Sequence, residues 1–516
     1  MQENLNSLNE LTLSQLVISL TDYKLEQSGM SNKTVTGICV DSRKMQPGNI
    51  FVALKGEKSD SHDFISQVLT AKPVAIVVSQ DFETKPYYSQ NQETVFIKAQ
   101  DTRVALNQLA STFYSHPSRK MFCFAVTGTN GKTSTTYFIE HILNQHNYPT
   151  AVIGTIQHRL QDHIWNTEMT TPDSLQLMQR LFEMQNLGAR GLAMEVSSHA
   201  LQQGRADSVE FNTVIFTNLT RDHLDYHKTM ENYFFAKQKL FTDLLWSSSK
   251  RAKFAIVNTD DSYGKKLQVA GTAEVITYGE NKDAVFKFKI TKQLYDSTEF
   301  SLNSPFGEKP CRLPVVGRHM VYNAVAAIAA VISVGVSIDQ SVKYLDTFPG
   351  VEGRMQLVPT GKSIFAFVDY AHTPDALEKV LNTLNEIRRS QFEGKPAREV
   401  RNKIITVFGC GGDRDKGKRP IMAQIAEKNS DIVIVTSDNP RTEDPNDIIN
   451  EIKKGFSDSQ KIFTEVDRMM AIKQALQKAE PGDVVLVAGK GHENYQIIGT
   501  EKRDFSDFKT IQEYAK

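Results

Sequence analysis

Cysteine is scarce. The 516 residues contain four, Cys39, Cys123, Cys311 and Cys410, too scattered for a disulfide framework and consistent with reduced thiols in a cytoplasm. An excess of either charge is also missing: 60 Lys plus Arg balance 60 Asp plus Glu, so no basic surplus exists to hold a phosphate backbone, and no nucleic-acid partner is expected. Long apolar runs are absent. The longest, residues 324–336, is too short to span a bilayer and reads as a buried helix, so no membrane insertion is expected. The opening MQENLNSLNELTLSQL has no basic start followed by an unbroken apolar stretch, so no secretory leader is read there. With 40% hydrophobic and 23% charged residues, the composition is that of a soluble globular protein. The length corresponds to about three domains, and a monomer is the expected state.

The expected fold class is α/β in three domains. Residues 1–100 mix short strand-like runs (NIFVAL, PVAIVV) with polar connections, as a small α/β unit. The second domain is read as 101–349, where a helix over 102–114 leads through the turn SHPSRK into MFCFAVTG, which opens a new strand. There apolar strands (FCFAVTG, GLAMEV, TVIFTNL) alternate with helices, the pattern of a mainly parallel sheet covered on both faces. Residues 275–315 are strand-like without helical periodicity. The last third, 350–516, repeats the strand–helix grammar in SIFAFVDY, KIITVFG, DIVIVTS and DVVLVAG, with helices over 421–428 and 469–479, and reads as a Rossmann-like doubly wound domain.

The most informative stretch is AVTGTNGKTS. A strand ends at Gly128 and passes through Thr129, Asn130 and Gly131 into Lys132, Thr133 and Ser134, which open a helix. Backbone N–H groups of 129–132 can face phosphates there, the helix start adds positive potential, Lys132 supplies a charge, and the Thr133 hydroxyl can ligate Mg²⁺. The strict G-x-x-x-x-G-K-[ST] spacing would need glycine at Val126, so the motif is a variant. The bland alternative is an ordinary Gly-Lys turn.

Ligands of parallel sheets gather at the carboxyl ends of strands. Glu195 closes GLAMEV and His223 follows TVIFTNL, so each could reach a magnesium ion beside the phosphates. Taken singly, Glu195 reads equally as a capping or salt-bridged carboxylate and His223 as a loop hydrogen-bonder. Lys237 shares a helical face with Tyr233, Leu240, Phe241 and Leu244, placing a charge in an apolar stripe. By helix geometry alone such a lysine extends its amine to solvent. The sharper reading is an amine neutral enough to capture CO₂ as a metal-ligating carbamate. Spacing leaves both open.

TGTNGKTS, TTPDS, MEVSSHALQQGR, FTNLTRDHLDYH, GRHMVYNAVAA, GRMQ, VDYAHTPDAL, FGCGGDRDKGKRP, DNPRTEDP and AGKGHE together resemble the Mur ligase family along nearly the whole chain. The resemblance implies domains for a UDP-linked substrate (1–100), for ATP (101–349) and for an incoming amino acid (350–516). ATP would phosphorylate the γ-carboxylate of D-Glu in UDP-MurNAc-L-Ala-D-Glu, and an amine would attack the acyl phosphate. Mg²⁺, two ions by the resemblance, and Lys132 would screen the approach of two anions. Glu195, His223 and carbamylated Lys237 would be metal ligands with Thr133. Asn323 would meet adenine, Asp369 the ribose, and Arg354 the phosphate region. Val40, Ser42, Thr170, Thr171, Ser197, Gln203 and Arg205 would hold the nucleotide-sugar dipeptide, Arg205 through its several donors. Met169 stands where relatives often carry Asn.

The third substrate by resemblance is meso-2,6-diaminopimelate or L-lysine. The former carries a second carboxylate, which needs a cation, beside an ammonium, which needs an anion. Arg414, Asp438, Asn439, Pro440, Arg441, Gly489 and Glu493 form a set suited to diaminopimelate. Alone, DNPR would read as a proline turn with a solvated arginine. A folylpolyglutamate-type amide ligase and a P-loop ATPase that makes no covalent product are the rivals. The PGNIFVALKGEKSDSHDF segment favours a UDP-muramyl substrate, and the ATPase reading explains neither DNPR nor GKGHE.

Overall fold

Short apolar strands followed by amphipathic helices set the architecture throughout. The computed structural model describes residues 11–26, 32–56, 59–88, 92–167, 169–391 and 402–516. Ten positions of the N-terminal segment read for a leader, and positions 57 and 58 of PGNIFVALKGEKSDSHDF, lie outside the described residues. The described residues fall into two compact units, within Met1–Lys132 plus Leu143–Ile276 and within Thr133–Ile142 plus Thr277–Lys516.

The first unit starts with a five-stranded sheet ordered Tyr23–Glu26, Val95–Ala99, Ala75–Ser79, Asn49–Val52 and Gly37–Cys39. Only the first pairing is antiparallel. NIFVAL is therefore a strand only as far as Val52. Helix Thr102–Phe113 follows, capped by Asp101, whose carboxylate accepts from the Arg103 and Val104 N–H groups. Then comes the sheet that carries the phosphate loop. Within this unit its strands run in the order His163–Trp165, His158–Leu160, Thr150–Ile153, Gly191–Glu195, Phe122–Thr127, Thr213–Phe216 and Phe254–Asn258. From Thr150–Ile153 to Phe254–Asn258 all are parallel. Strand Phe122–Thr127 is flanked by the other two functional strands, with Glu195 paired to Val126 and Phe216 to Thr127. Three carboxyl ends therefore lie side by side.

In the second unit, strands Phe286–Gln293, Thr298–Ser304 and Gly307–Leu313 form an antiparallel meander, the non-helical region read at 275–315. Of the apolar run read as a buried helix at 324–336, residues 324–331 are buried in helix Arg318–Val331, while the rest leaves the helix through a 3-10 turn and left-handed Gly335. The last domain has the sheet order Gln356–Val358, Phe365–Asp369, Val484–Ala488, Ile404–Phe408, Ile432–Val435 and Ile462–Thr464, antiparallel only at the first pairing. Helices Pro374–Gln391, Lys418–Asn429 and Pro445–Lys453 pack one core on this sheet, and Arg468–Lys478 and Asp507–Tyr514 pack another. Two separate apolar faces make the domain doubly wound.

All four cysteines are free and buried. Among the described residues, no helix is long and apolar enough to cross a membrane.

Candidate active site

The turn after strand Phe122–Thr127 is held by the neighbouring strand end. Gly128 has φ +152°, and a Cβ there would fall 1.9 Å from Thr217 Oγ1, so only glycine fits. Thr217 Oγ1 donates to the Asn130 carbonyl at 2.6 Å. The Thr129 N–H donates to the Asn218 carbonyl at 2.9 Å, and the Asn130 N–H to Asn218 Oδ1 at 3.0 Å. The expectation that every N–H of 129–132 faces a phosphate is corrected for these two, which are spent on fixing the loop. Helix Lys132–Gln145 opens at Lys132; Thr133 and Ser134 are buried in its first turn.

Two lysine amines meet at one oxygen. Lys132 Nζ donates to the carbonyls of Gly128 and Thr129, each at 2.9 Å, and Lys237 Nζ donates to the same Gly128 carbonyl at 2.9 Å. Lys237 is 1% exposed, which overturns the solvent-reaching alternative. It lies 4.6 Å over the ring of Tyr233, and Leu240, Phe241 and Leu244 on its face are buried in a π-helical turn, Leu240–Leu244. Burial drives its amine well below the ordinary 10.5, the Lys132 ammonium pushes the same way, and Asp222 opposes them. A neutral amine is the form that reacts with electrophiles such as CO₂.

Glu195 is buried and neither caps a helix nor joins an ion pair among the described residues. It accepts from the N–H and hydroxyl of Thr155, both at 2.9 Å. His223 adopts φ +53°, with Nε2 3.5 Å from Asp222 Oδ2. Its ring meets His199 edge-on at 4.9 Å. Burial lowers the His223 pKa; Asp222 opposes this, and Lys132 and Lys237 lower it further. His227 is likewise pushed down to about 4, first by burial and then by His199 and Lys237. Neutral imidazoles are thus favoured, the form that can bind metal.

As donors for Mg²⁺, the Glu195 carboxylate and the Thr133 hydroxyl suit a hard cation, whereas an unmodified amine at Lys237 does not. Among the described residues no three His, Cys, Asp or Glu side chains are grouped to hold a metal ion. An oxygen donor at Lys237 would require carbamylation of its amine.

A second cluster lies at the end of strand Gly191–Glu195. Thr171 Oγ1 donates to the Glu195 carbonyl at 2.9 Å and accepts from the Ser197 N–H at 3.2 Å. Thr170 Oγ1 is 3.0 Å from Thr155 Oγ1. Arg205 donates to Gln203 Oε1 and to the Thr171 carbonyl, both at 2.8 Å, and to Met169 Sδ at 3.4 Å. The unexpected methionine therefore supplies a weak acceptor. Val40 follows strand Gly37–Cys39, and Ser42 opens a 3-10 turn capped by Asp41.

In the second unit, Asn323 is buried in helix Arg318–Val331. Asp369 ends its strand with both carboxylate oxygens accepting backbone N–H groups, from Met355 at 2.7 Å and Ala371 at 2.8 Å. Burial raises its pKa, and Arg354, stacked 4.8 Å from the Tyr370 ring, opposes that.

The loops after strands Ile432–Val435 and Val484–Ala488 bring together Asp438, Asn439, Pro440, Arg441, Gly489 and Glu493. Arg441, at φ +51°, donates from Nη1 to the Gly412 carbonyl at 2.9 Å. It is half-buried rather than the solvated arginine of the bland reading. Arg414 is exposed. Asn439 Nδ2 donates to Glu493 Oε2 at 3.0 Å. Sequence reasoning missed Lys490, the buried lysine of GKGHE, whose flanking glycines suggest only a turn. Its place directly after a buried strand was the available signal.

The Mur ligase family catalytic-domain model matches residues 34–114, the Mur ligase middle-domain model 126–331 and the Mur ligase glutamate ligase domain model 353–491. The chain belongs to the Mur ligase family. It is 41% identical over 496 residues to UDP-N-acetylmuramoyl-L-alanyl-D-glutamate–2,6-diaminopimelate ligase of Geobacter sulfurreducens, covering 93% of this chain and 94% of that one. To the enzyme of the same name from Fusobacterium nucleatum it is 39% identical, covering 95% and 96%. A solved structure of a ligase of this name superposes with a TM-score of 0.70 at 31% identity, over 97% of this chain and 98% of that one.

Proposed function

We propose that the chain uses ATP to join meso-2,6-diaminopimelate to the D-Glu γ-carboxylate of UDP-MurNAc-L-Ala-D-Glu, a step of peptidoglycan precursor synthesis. The observation that carries this is the end-to-end likeness, at about 40% identity, to relatives named for that reaction. The domain reading 1–100, 101–349 and 350–516 belongs to the same proposal.

The chemical problem is to bring a carboxylate to a triphosphate and then an amine to the resulting acyl phosphate. In the first unit, Gly128, Thr129, Asn130 and Gly131 shape the loop, and Lys132 leaves its two carbonyl partners to meet phosphate charge. Glu195, His223 and carbamylated Lys237 would hold Mg²⁺. When bound, magnesium supplies charge neutralisation for the phosphoryl group. Thr170, Thr171, Ser197, Gln203 and Arg205, with Val40 and Ser42, orient the dipeptide substrate. In the second unit, Ser134, Asn323, Arg354 and Asp369 bind nucleotide. Arg414, Asp438, Asn439, Pro440, Arg441, Gly489 and Glu493 select the amino acid, so that its free amine attacks the activated carbonyl and phosphate leaves.

The test is ADP release coupled to mass spectrometry with UDP-MurNAc-L-Ala-D-Glu and either meso-diaminopimelate or L-lysine. The expected result is tripeptide formation with diaminopimelate and much weaker turnover with lysine. ADP release without an elongated product would overturn the assignment.

A further inference from the structure

Lys490 is 0% exposed. It follows strand Val484–Ala488 between Gly489 and Gly491, which have φ of +119° and +53°. A Cβ at 491 would come within 2.7 Å of Tyr370 Cβ. This turn admits no ordinary side chain there, and it fixes where Lys490 leaves the backbone. Its Nζ donates to Asn439 Oδ1 at 3.0 Å and to Glu493 Oε2 at 3.1 Å, and Asn439 donates to the same Glu493 oxygen. The three side chains form a closed ring in which each bond orients the other two. The Asn439 amide is locked with its oxygen toward two donors, Lys490 and the Ile497 N–H, the latter at 2.9 Å. In the ring, Glu493 Oε1 is left unengaged.

The charges do not balance. Lys490 also lies 3.5 Å from Asp438 Oδ1, an atom buried without a hydrogen bond, so one ammonium faces two carboxylates. Of the nearby arginines, Arg468 pairs with Asp507 at 2.7 and 2.8 Å and feels Asp438 and Glu493 only at longer range, while Arg441 donates to the Gly412 carbonyl. Tyr370 and Tyr495 border the group, their phenols pushed up first by burial and then by Glu493. Lys490, Glu493 and Asp438 together carry one net negative charge, which a single substrate ammonium would complement. Without Lys490 two would be needed.

The structure assigns Lys490 as a positioning and specificity-determining residue, which holds Asn439 and Glu493 ready for the second ammonium of a diamino acid without touching the reacting atoms. This rests on the reading of diaminopimelate as third substrate. The test measures KM for each substrate, and kcat, in wild type, Lys490→Met and Lys490→Ala. Removing a buried charge-assisted hydrogen-bond partner is expected to raise KM for diaminopimelate about 30-fold. KM for ATP should hold, kcat should stay within about threefold, and ethylammonium should restore KM in Lys490→Ala by refilling the space. An unchanged diaminopimelate KM, a parallel loss for all three substrates with a lowered melting temperature, or no amine rescue would each overturn the role. A wild type that does not use diaminopimelate would instead overturn the substrate assignment.

Discussion

Lys237 and Lys490 are both removed from water, yet their surroundings make them opposite reagents. Lys237 meets a carbonyl, an aromatic face and a second ammonium, so its positive form is penalised and its lone pair becomes available. Lys490 meets two carboxylates and an amide oxygen, which are partners for a fixed cation. Burial thus sets the stakes, and the counter-charges decide whether a lysine reacts or organises.

The largest effect is expected at the reactive member. Lys237→Ala should lower kcat by about a thousandfold or more, with part of it regained on adding formate or acetate to replace the carbamate oxygens. Lys237→Arg, a permanent cation, should be equally slow. Full activity in either variant would break the contrast. Labelled bicarbonate should give one carbamate carbon signal, lost in Lys237→Ala.

At the organising region the effect should be on recognition. Arg441→Ala is expected to raise KM for diaminopimelate about 10- to 100-fold, the range for losing a charged contact, with KM for ATP nearly unchanged. An unaltered KM would remove Arg441 from the pocket.

The smallest effect is a pH slope in stability. Because the folded-state pKa of Lys237 is depressed, the unfolded chain binds the extra proton between that lowered value and the ordinary 10.5. Stability should therefore rise with pH in that window, by at most about 1.4 kcal/mol per pH unit. In CO₂-free buffer, the urea midpoint of wild type should climb relative to Lys237→Met between pH 7 and pH 9. Parallel lines would show that Lys237 keeps an ordinary pKa.

The alternation of strand and helix was legible because each strand is a short apolar run ending at a glycine or polar cluster, as in FCFAVTG and DVVLVAG. Lys237 could be assigned a helix face but not a depth, since spacing carries no information about what packs over a stripe. The diversion of the Thr129 and Asn130 N–H groups was hidden because Asn218 is distant in sequence and reaches them only through the pairing of Thr213–Phe216 with Phe122–Thr127. Lys490 went unmarked because glycines on both sides mask a charged side chain that points inward. The π-helical turn Leu240–Leu244 leaves no compositional trace in LFTDL.

The pairing of Glu195 with Val126 and of Phe216 with Thr127 ties the placement of these side chains to strand register. A slip of either neighbouring strand by one position would turn Glu195, or the Thr217 clasp on the loop, to the opposite side of the sheet. Alignment across three strands at once therefore sets which side chains reach the loop after Thr127.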